Sequence, residues 1–300
     1  MSLAENPVRG GTPRWSWPWS RSRSRSWVPG VRALGPGVVL AGLFLLVVTL
    51  AAAFPTLFTD TDPLEIDPSQ ALTGPSGAHP FGTDQSGRDV FARIVHGARD
   101  SLAVAYAATV MSLVLSTVLG LLAGLGGRVV DAVISRLIEV LFSFPSFLFA
   151  LLILTIFDKS LVVTTVAVGI ALTPGLARLV RAQVLVVRDS GYVESARVLG
   201  HSPARVIART VAPNALQPLV AFAFLNVGGA LIWSTTLSYF GFGAVPPAPD
   251  WGAMLSDAQS YILQIWWLPV FTGLVVILTA VSATVVGRHL QFALSGRGRR

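Results

Sequence analysis

The stretch Gly191-Tyr-Val-Glu-Ser-Ala-Arg-Val-Leu-Gly-His-Ser-Pro-Ala-Arg-Val-Ile-Ala-Arg-Thr-Val-Ala-Pro213 is polar and interrupted twice, and it lies between long apolar runs. A short helix is expected from Arg188 through Leu199. It stops at Gly200, the residue that takes a left-handed C-terminal cap at least cost. Ser202 suits an N-cap and Pro203 the first helical position, so a second helix is expected to run toward Pro213, which has no N–H with which to continue it. Each helix has about ten residues, below the roughly 12 to 15 at which isolated helices become even marginally stable in water. Both therefore need a surface to dock on. Val193, Ala196, Leu199, Val206 and Ile207 form the apolar side, and arginines such as Arg205 are spread around the rest, which leaves a polar side for a soluble partner.

Outward from this loop the chain is apolar. Hydrophobic residues make up 53% of its 300 residues and charged residues 12%, against roughly a quarter charged in ordinary soluble domains. A bilayer crossing takes about 20 mainly apolar residues. Six runs qualify as spans, at about 37–58, 102–126, 132–157, 160–180, 214–240 and 265–287. An all-α integral membrane protein follows, with one transmembrane domain over 35–290. The 37–58 run is too long for the core of a signal peptide and reads as a retained anchor. Residues 1–34 form a basic tail rich in Pro, Ser, Arg and Trp, expected to be disordered and cytoplasmic; it either rests on an anionic leaflet through Trp15, Trp17, Trp19 and Trp27 or is merely solvated. Residues 291–300 make a second basic tail.

The arginines orient the chain. Arg128, Arg136, Arg178, Arg181, Arg188, Arg197, Arg205, Arg209 and Arg288 fall on one side if both termini are cytoplasmic, while the opposite loops hold Asp60, Asp62, Glu65, Asp67, Asp84, Asp89 and Asp100 and later Asp250 and Asp257. The formal charge of +7 is explained by this anchoring to membrane lipids, so no nucleic-acid partner is expected. The chain has no cysteine, which removes disulfides, thiol catalysis and cysteine metal sites. His79 has only His96 nearby, too few ligands for nickel or zinc, and no metal is expected. The spans are almost free of ionisable groups, against a proton-coupled carrier. Glu139 lies three residues after Arg136 and either pairs with it or lines a passage. Pro145 and Pro174 interrupt spans three and four. Gly120-Leu-Leu-Ala-Gly124 and Gly228-Gly229-Ala230 allow close helix packing, within the bundle and against a partner bundle.

Glu194-Ser-Ala196, Gly200 and Pro213 match in spacing the coupling-loop motif of permease subunits of binding-protein-dependent ABC importers. Ser195 replaces a usual Ala, and Thr210 and Ala212 stand where larger apolar residues are usual. A second block, His79-Pro-Phe-Gly-Thr-Asp-Gln-Ser-Gly-Arg-Asp-Val90 with Arg93 and Gly97-Ala-Arg99, resembles the dipeptide, oligopeptide and nickel branch, in particular its second, C-type permease. Arg136 to Pro145, Thr173-Pro-Gly-Leu-Ala-Arg178, and Leu237-Ser-Tyr-Phe-Gly-Phe-Gly243 with Asp250-Trp-Gly252 resemble that subunit too.

The resemblance implies a six-transmembrane-helix permease bundle of the type I importer kind with a cytoplasmic coupling-helix loop. It implies a non-catalytic subunit that moves short peptides by alternating access; nickel chelates, other small solutes or a secondary carrier are the alternatives. The chain has no Gly-x-x-x-x-Gly-Lys-Ser/Thr loop, and its one lysine, Lys159, lies outside such a context. No cofactor is therefore expected on this chain, with ATP and Mg in partner ATPases. Implied partners are a homologous B-type permease, one fused or two separate ABC ATPases, and an extracytoplasmic substrate-binding lipoprotein. The coupling loop would comprise Glu194, Ser195, Ala196, Gly200, His201, Ser202, Pro203, Arg205 and Pro213, with Glu194 orienting it, Gly200 turning it and Pro213 fixing its exit. Asp84, Arg88, Asp89, Arg93, Asp250 and Trp251 lie on the external side, where an ion-pair network of Asp84 and Asp89 with Arg88 and Arg93 either braces the outer mouth or receives the binding protein.

Overall fold

The structure, a computed structural model, describes residues 35–157, 159–245, 247–264 and 266–294. The basic tail at 1–34 and residues 295–300 lie outside the described residues. What is described is all helical. No strand forms among the described residues, and a single antiparallel bridge joins Thr83 to Asp89.

Helix α1 (Pro36–Ala53) ends where Pro55 begins a short 3-10 turn, and an irregular segment leads to α2 (Val90–Leu125). At 36 residues, α2 is about 54 Å long and outruns a bilayer core of about 30 Å. Helix α2 therefore starts twelve residues before the span expected at 102, because the Asp89 carboxylate caps it at Ala92 N–H (2.7 Å).

The expected single span at 132–157 is two helices, α3 (Gly127–Ser143) and α4 (Ser146–Ile156), bent by 86° at Phe144–Pro145. Proline drives the residue before it out of the helical region, and Phe144 sits at φ −80°, ψ 135°. Pro174 acts differently. It lies inside α5 (Leu161–Arg188), which stays helical through it and extends eight residues past the expected end at 180. Beyond come α6 (Gly191–Val198), α7 (Pro203–Val206), a π turn at Ile207–Val211, α8 (Ala212–Leu216), α9 (Leu219–Leu237), a second π turn at Ser238–Phe242, α10 (Trp251–Gln259) and α11 (Trp267–Leu294). Among the described residues five helices are long and apolar enough to cross a membrane, and the bent pair makes a sixth if it crosses as one.

The helices pack around α2, α5, α9 and α11 through small residues. A Cβ on Gly120 would sit 2.5 Å from Val180, one on Gly124 2.5 Å from Val184, and one on Gly228 2.8 Å from the Ala280 carbonyl. Both small-residue motifs are thus used inside this chain. Two apolar clusters result. One, including Leu102, Leu154, Val168, Leu231, Trp251 and Leu268, lies toward the start of α2; the other joins Val180, Val184 and Val187 to Val193, Val206, Val211 and Leu219 at the opposite end.

Candidate functional site

The loop that follows α5 adopts the helix pair with three changes of detail. Arg188 belongs to α5, so the first short helix begins at Gly191. At its end Gly200 takes φ +80°. Its N–H bonds the Arg197 carbonyl (2.9 Å), and the His201 N–H reaches back to the Ala196 carbonyl (3.2 Å), the paired bonds of a Schellman cap. Ser202 occupies the N-cap position ahead of Pro203, but its hydroxyl makes no capping bond. Pro213 does not end the second helix. The chain widens into the π turn, in which the Ala212 N–H reaches the Ile207 carbonyl. That spacing admits a residue without an N–H, and the helix runs on to Leu216.

The apolar side is narrower than its sequence pattern suggests. Val193 and Val206 are buried against α5, and of residues 210–212 only Val211 is buried. Leu199 is 77% exposed and Val198 82%, with Tyr192 and Ile207 also exposed. One face of the pair seats on the bundle and the other presents apolar side chains outward. Glu194 lies in the first turn of α6, where the helix dipole favours a carboxylate. Among the described residues it makes no side-chain hydrogen bond or ion pair, so the orienting contacts expected of it are not formed here. Ser195 Oγ bonds back to the Gly191 carbonyl (2.9 Å). His201, Ser202, Pro203, Arg205 and Pro213 are exposed.

At the other end the structure brings the six residues expected on the external side into one buried assembly. Asp84, Arg88, Asp89, Arg93, Asp250 and Trp251 are each less than a tenth exposed. Asp84 accepts from the Arg88 side chain (Nε to Oδ2, 2.8 Å), from the Arg88 and Ser86 N–H groups (3.0 and 2.8 Å), and lies 3.6 Å from Arg93 Nε. Among the described residues Asp89 takes no arginine. One of its oxygens caps α2 and the other lies 2.8 Å from His79 Nδ1, while His79 Nε2 lies 2.6 Å from Gln70 Oε1. The expected four-residue network is therefore a triad on Asp84 beside a separate His79–Asp89 pair. Hydrogen bonds from Ser69, first through its hydroxyl, and from Gln70 hold the Asp67 carboxyl below the usual carboxylate range.

Asp250 caps α10 at the Gly252 and Ala253 N–H groups (2.9 and 3.0 Å) and also accepts from Ser238 Oγ and, at 3.4 Å, Ser101 Oγ. Trp251 donates to the Ile94 carbonyl (2.9 Å), and Trp267 to the Thr83 carbonyl (3.0 Å). Gly97 lets α2 approach closely, since a Cβ there would meet the Pro249 carbonyl at 2.2 Å. Sequence reasoning missed Ser101, Ser238, Gln70 and Trp267. Ser238 stood within the Leu237–Gly243 motif; Ser101 and Trp267 carried no signal in spacing because their partners are distant in the chain, and Gln70, whose partners Asp67 and His79 are near in sequence, stood outside every motif. No group of three or more metal-ligating side chains occurs among the described residues.

Arg136 and Glu139 do pair, at 3.4 Å and well exposed. Asp131 and Arg181 form a closer, bidentate pair at 2.5 and 2.7 Å.

Residues 116–297 match the family described as binding-protein-dependent transport system inner membrane component. The chain is 38% identical over 258 residues, 85% of each protein, to the dipeptide transport system permease protein DppC of Alkalihalophilus pseudofirmus. It is 36% identical, over 85% of each, to the glutathione transport system permease protein GsiD of Pectobacterium atrosepticum. Against the probable D,D-dipeptide transport system permease protein DdpC of Escherichia coli K12 it is 34% identical, over 85% of this chain and 86% of that one. Among solved structures it shares its fold with an amino acid ABC transporter crystallised with histidines (TM-score 0.56, 18% identity, 67% of this chain and 94% of that one). The MetNI methionine ABC transporter in inward-facing form is similar (TM-score 0.54, 18% identity, 67% and 97%). With the helix pair after α5, the six-helix capacity and these matches in place, the chain belongs to the binding-protein-dependent transport system inner membrane component family.

Proposed function

We propose that this chain is the C-type transmembrane subunit of an ATP-driven importer of short peptides. It would pair with a homologous B-type permease, take its energy from one fused or two separate ABC ATPases that bind ATP and Mg, and receive solute from an extracytoplasmic binding lipoprotein. It would sit in the cytoplasmic membrane with both termini inside. The observation that carries this reading is the helix pair at 191–216, seated on α5 through Val193 and Val206 while Tyr192, Val198 and Leu199 stay exposed. Side chains so placed suit a soluble partner that pushes on the pair. Peptides rather than nickel chelates are favoured because the relatives named above are permeases of dipeptide, D,D-dipeptide and glutathione systems.

In this reading ATPase closure moves the helix pair as a lever and shifts the bundle between inward-facing and outward-facing states, and loaded binding protein biases the same equilibrium. Gly200 supplies the turn between the two lever arms. A Cβ there meets nothing within 4 Å, so Gly200→Val tests the backbone alone. The positive φ costs about 1–2 kcal/mol for an L-residue, roughly tenfold in an equilibrium. The assembled complex in liposomes is expected to lose about that factor in peptide uptake while the variant chain still inserts. Unchanged uptake in Gly200→Val would remove the coupling assignment, and uptake by the unaltered complex without ATP would remove the importer class.

A further inference from the structure

One helix, α5, holds both the helix pair and the bent arm. Toward the helix pair the joint is apolar: Val180, Val184 and Val187 form a single buried cluster with Val193 and Val206. Toward α3 it is polar. Arg178, Arg181 and Arg188 recur at spacings of three and seven and therefore share one face of α5. The Arg181 fork grips Asp131 at 2.5 and 2.7 Å, and Ser135 Oγ donates to the same carboxylate at 3.1 Å. The Arg178 guanidinium lies 4.1 Å over the Phe142 ring, and Arg188 Nη1 donates to the Gly124 carbonyl, at the end of α2, at 2.9 Å.

Within this chain α3 otherwise packs only lightly, against α5 and the neighbouring α2. Ile138 is its one buried side chain, and beside the fork lies a cleft of about 230 Å³ lined by Ser135, Ile138, Glu139, Arg178 and Arg181. Arm α3 then breaks from α4 at Phe144–Pro145 with the 86° bend. A helix with one buried residue, open space beside it and a proline break at its far end moves with whatever grips its polar side. Here the grip comes from α5.

We propose that Asp131, Arg181 and Arg178 form a clasp through which displacement of the 191–216 helix pair, carried by α5, is passed to the α3 arm and turned about Pro145. These three are positioning residues for transport. Their proposed action is on the α3 arm and not on solute or nucleotide, and they set whether ATP hydrolysis moves that arm. The inference rests on the importer reading above. A planar, two-donor guanidinium suits the task better than a point charge, because a fork resists rotation as well as separation.

The test uses the whole complex, co-purified with its own partner subunits and reconstituted in liposomes, with an isotope-labelled pool of short peptides as the probe. The readout is peptide moved per ATP hydrolysed, with hydrolysis and subunit co-purification followed in parallel. Arg181→Glu and Asp131→Arg should each lower that ratio by about fivefold while hydrolysis and assembly persist, and the double exchange should recover most of the loss. A merely structural role would lower hydrolysis and uptake together and leave their ratio unchanged. The clasp is overturned if either single variant stays as well coupled as the unaltered complex, or if the double exchange assembles and is no better coupled than the singles. Should the charge variants fail to assemble, Arg181→Lys keeps the charge without the fork: a reduced ratio supports the clasp and an unchanged one overturns it. The unaltered complex separates the two ideas. If it moves no peptide with ATP, the importer reading itself falls, and the clasp with it.

Discussion

Asp84 shows most clearly how one residue holds the buried assembly at the start of α2. Its carboxylate is the counter-charge in direct reach of both Arg88 and Arg93, with Asp257 attracting them from farther off, and Asp84 and both arginines are buried. Removing one partner of such a group leaves charge without compensation, at a cost of about 3–5 kcal/mol. Asp84→Ala is therefore expected to lower the thermal unfolding midpoint of the detergent-solubilised protein more than any exposed acid-to-alanine change, with Glu65→Ala as the comparison. Asp250 poses a milder case. It satisfies two helix N–H groups and two hydroxyls. Asp250→Ala orphans those donors, for about 1–3 kcal/mol, whereas Asp250→Asn keeps an acceptor and should retain most of the stability in the same melting experiment. The acids and arginines of this block were legible as a group from their spacing. Which acid served which arginine was not, because His79 takes Asp89 only once the 67–89 segment folds back on itself.

Among elements, the contact of α2 with α5 depends on side chains that are absent. Gly120 and Gly124 face Val180 and Val184 at a separation that leaves no room for a Cβ. Gly120→Val must push two long helices apart, and overpacking of this kind costs about 1–3 kcal/mol. The melting midpoint should fall, while Gly229→Ala, inside α9 where a Cβ meets nothing within 4 Å, should not lower it; equal midpoints for the two variants would show that the helices do not approach as described. The two prolines of spans three and four illustrate a limit of sequence reading. Both interrupt apolar runs, yet Pro145 breaks its helix and Pro174 does not. Pro174 is buried within the core-packed α5, where neighbours keep the helix together. Arm α3 has one buried side chain, too little packing to oppose the extended backbone that Pro145 imposes on Phe144.

For the whole molecule, the number of crossings turns on the bent pair. Helix α4 has 11 residues, about 17 Å, and cannot span alone. If α3 and α4 cross together, Glu65 and Arg197 lie on opposite faces; if they do not, the two share a face. The chain has no cysteine, so Glu65→Cys and Arg197→Cys each place one thiol in an otherwise silent background. A membrane-impermeant maleimide applied to intact cells is expected to label the first and to reach the second only after permeabilisation. Labelling of both in intact cells would replace six crossings by five. Membrane class, the approximate spans, the helix pair and its glycine turn were determined by the sequence alone, because each rests on local properties: apolar length, helix caps and backbone freedom. Only the tertiary structure decided that Pro213 lies within a helix, that Asp89 takes His79, that Leu199 faces outward and that α5 grips Asp131. These outcomes depend on which surfaces meet across long separations in the chain, and spacing along the sequence carries no energy term for that.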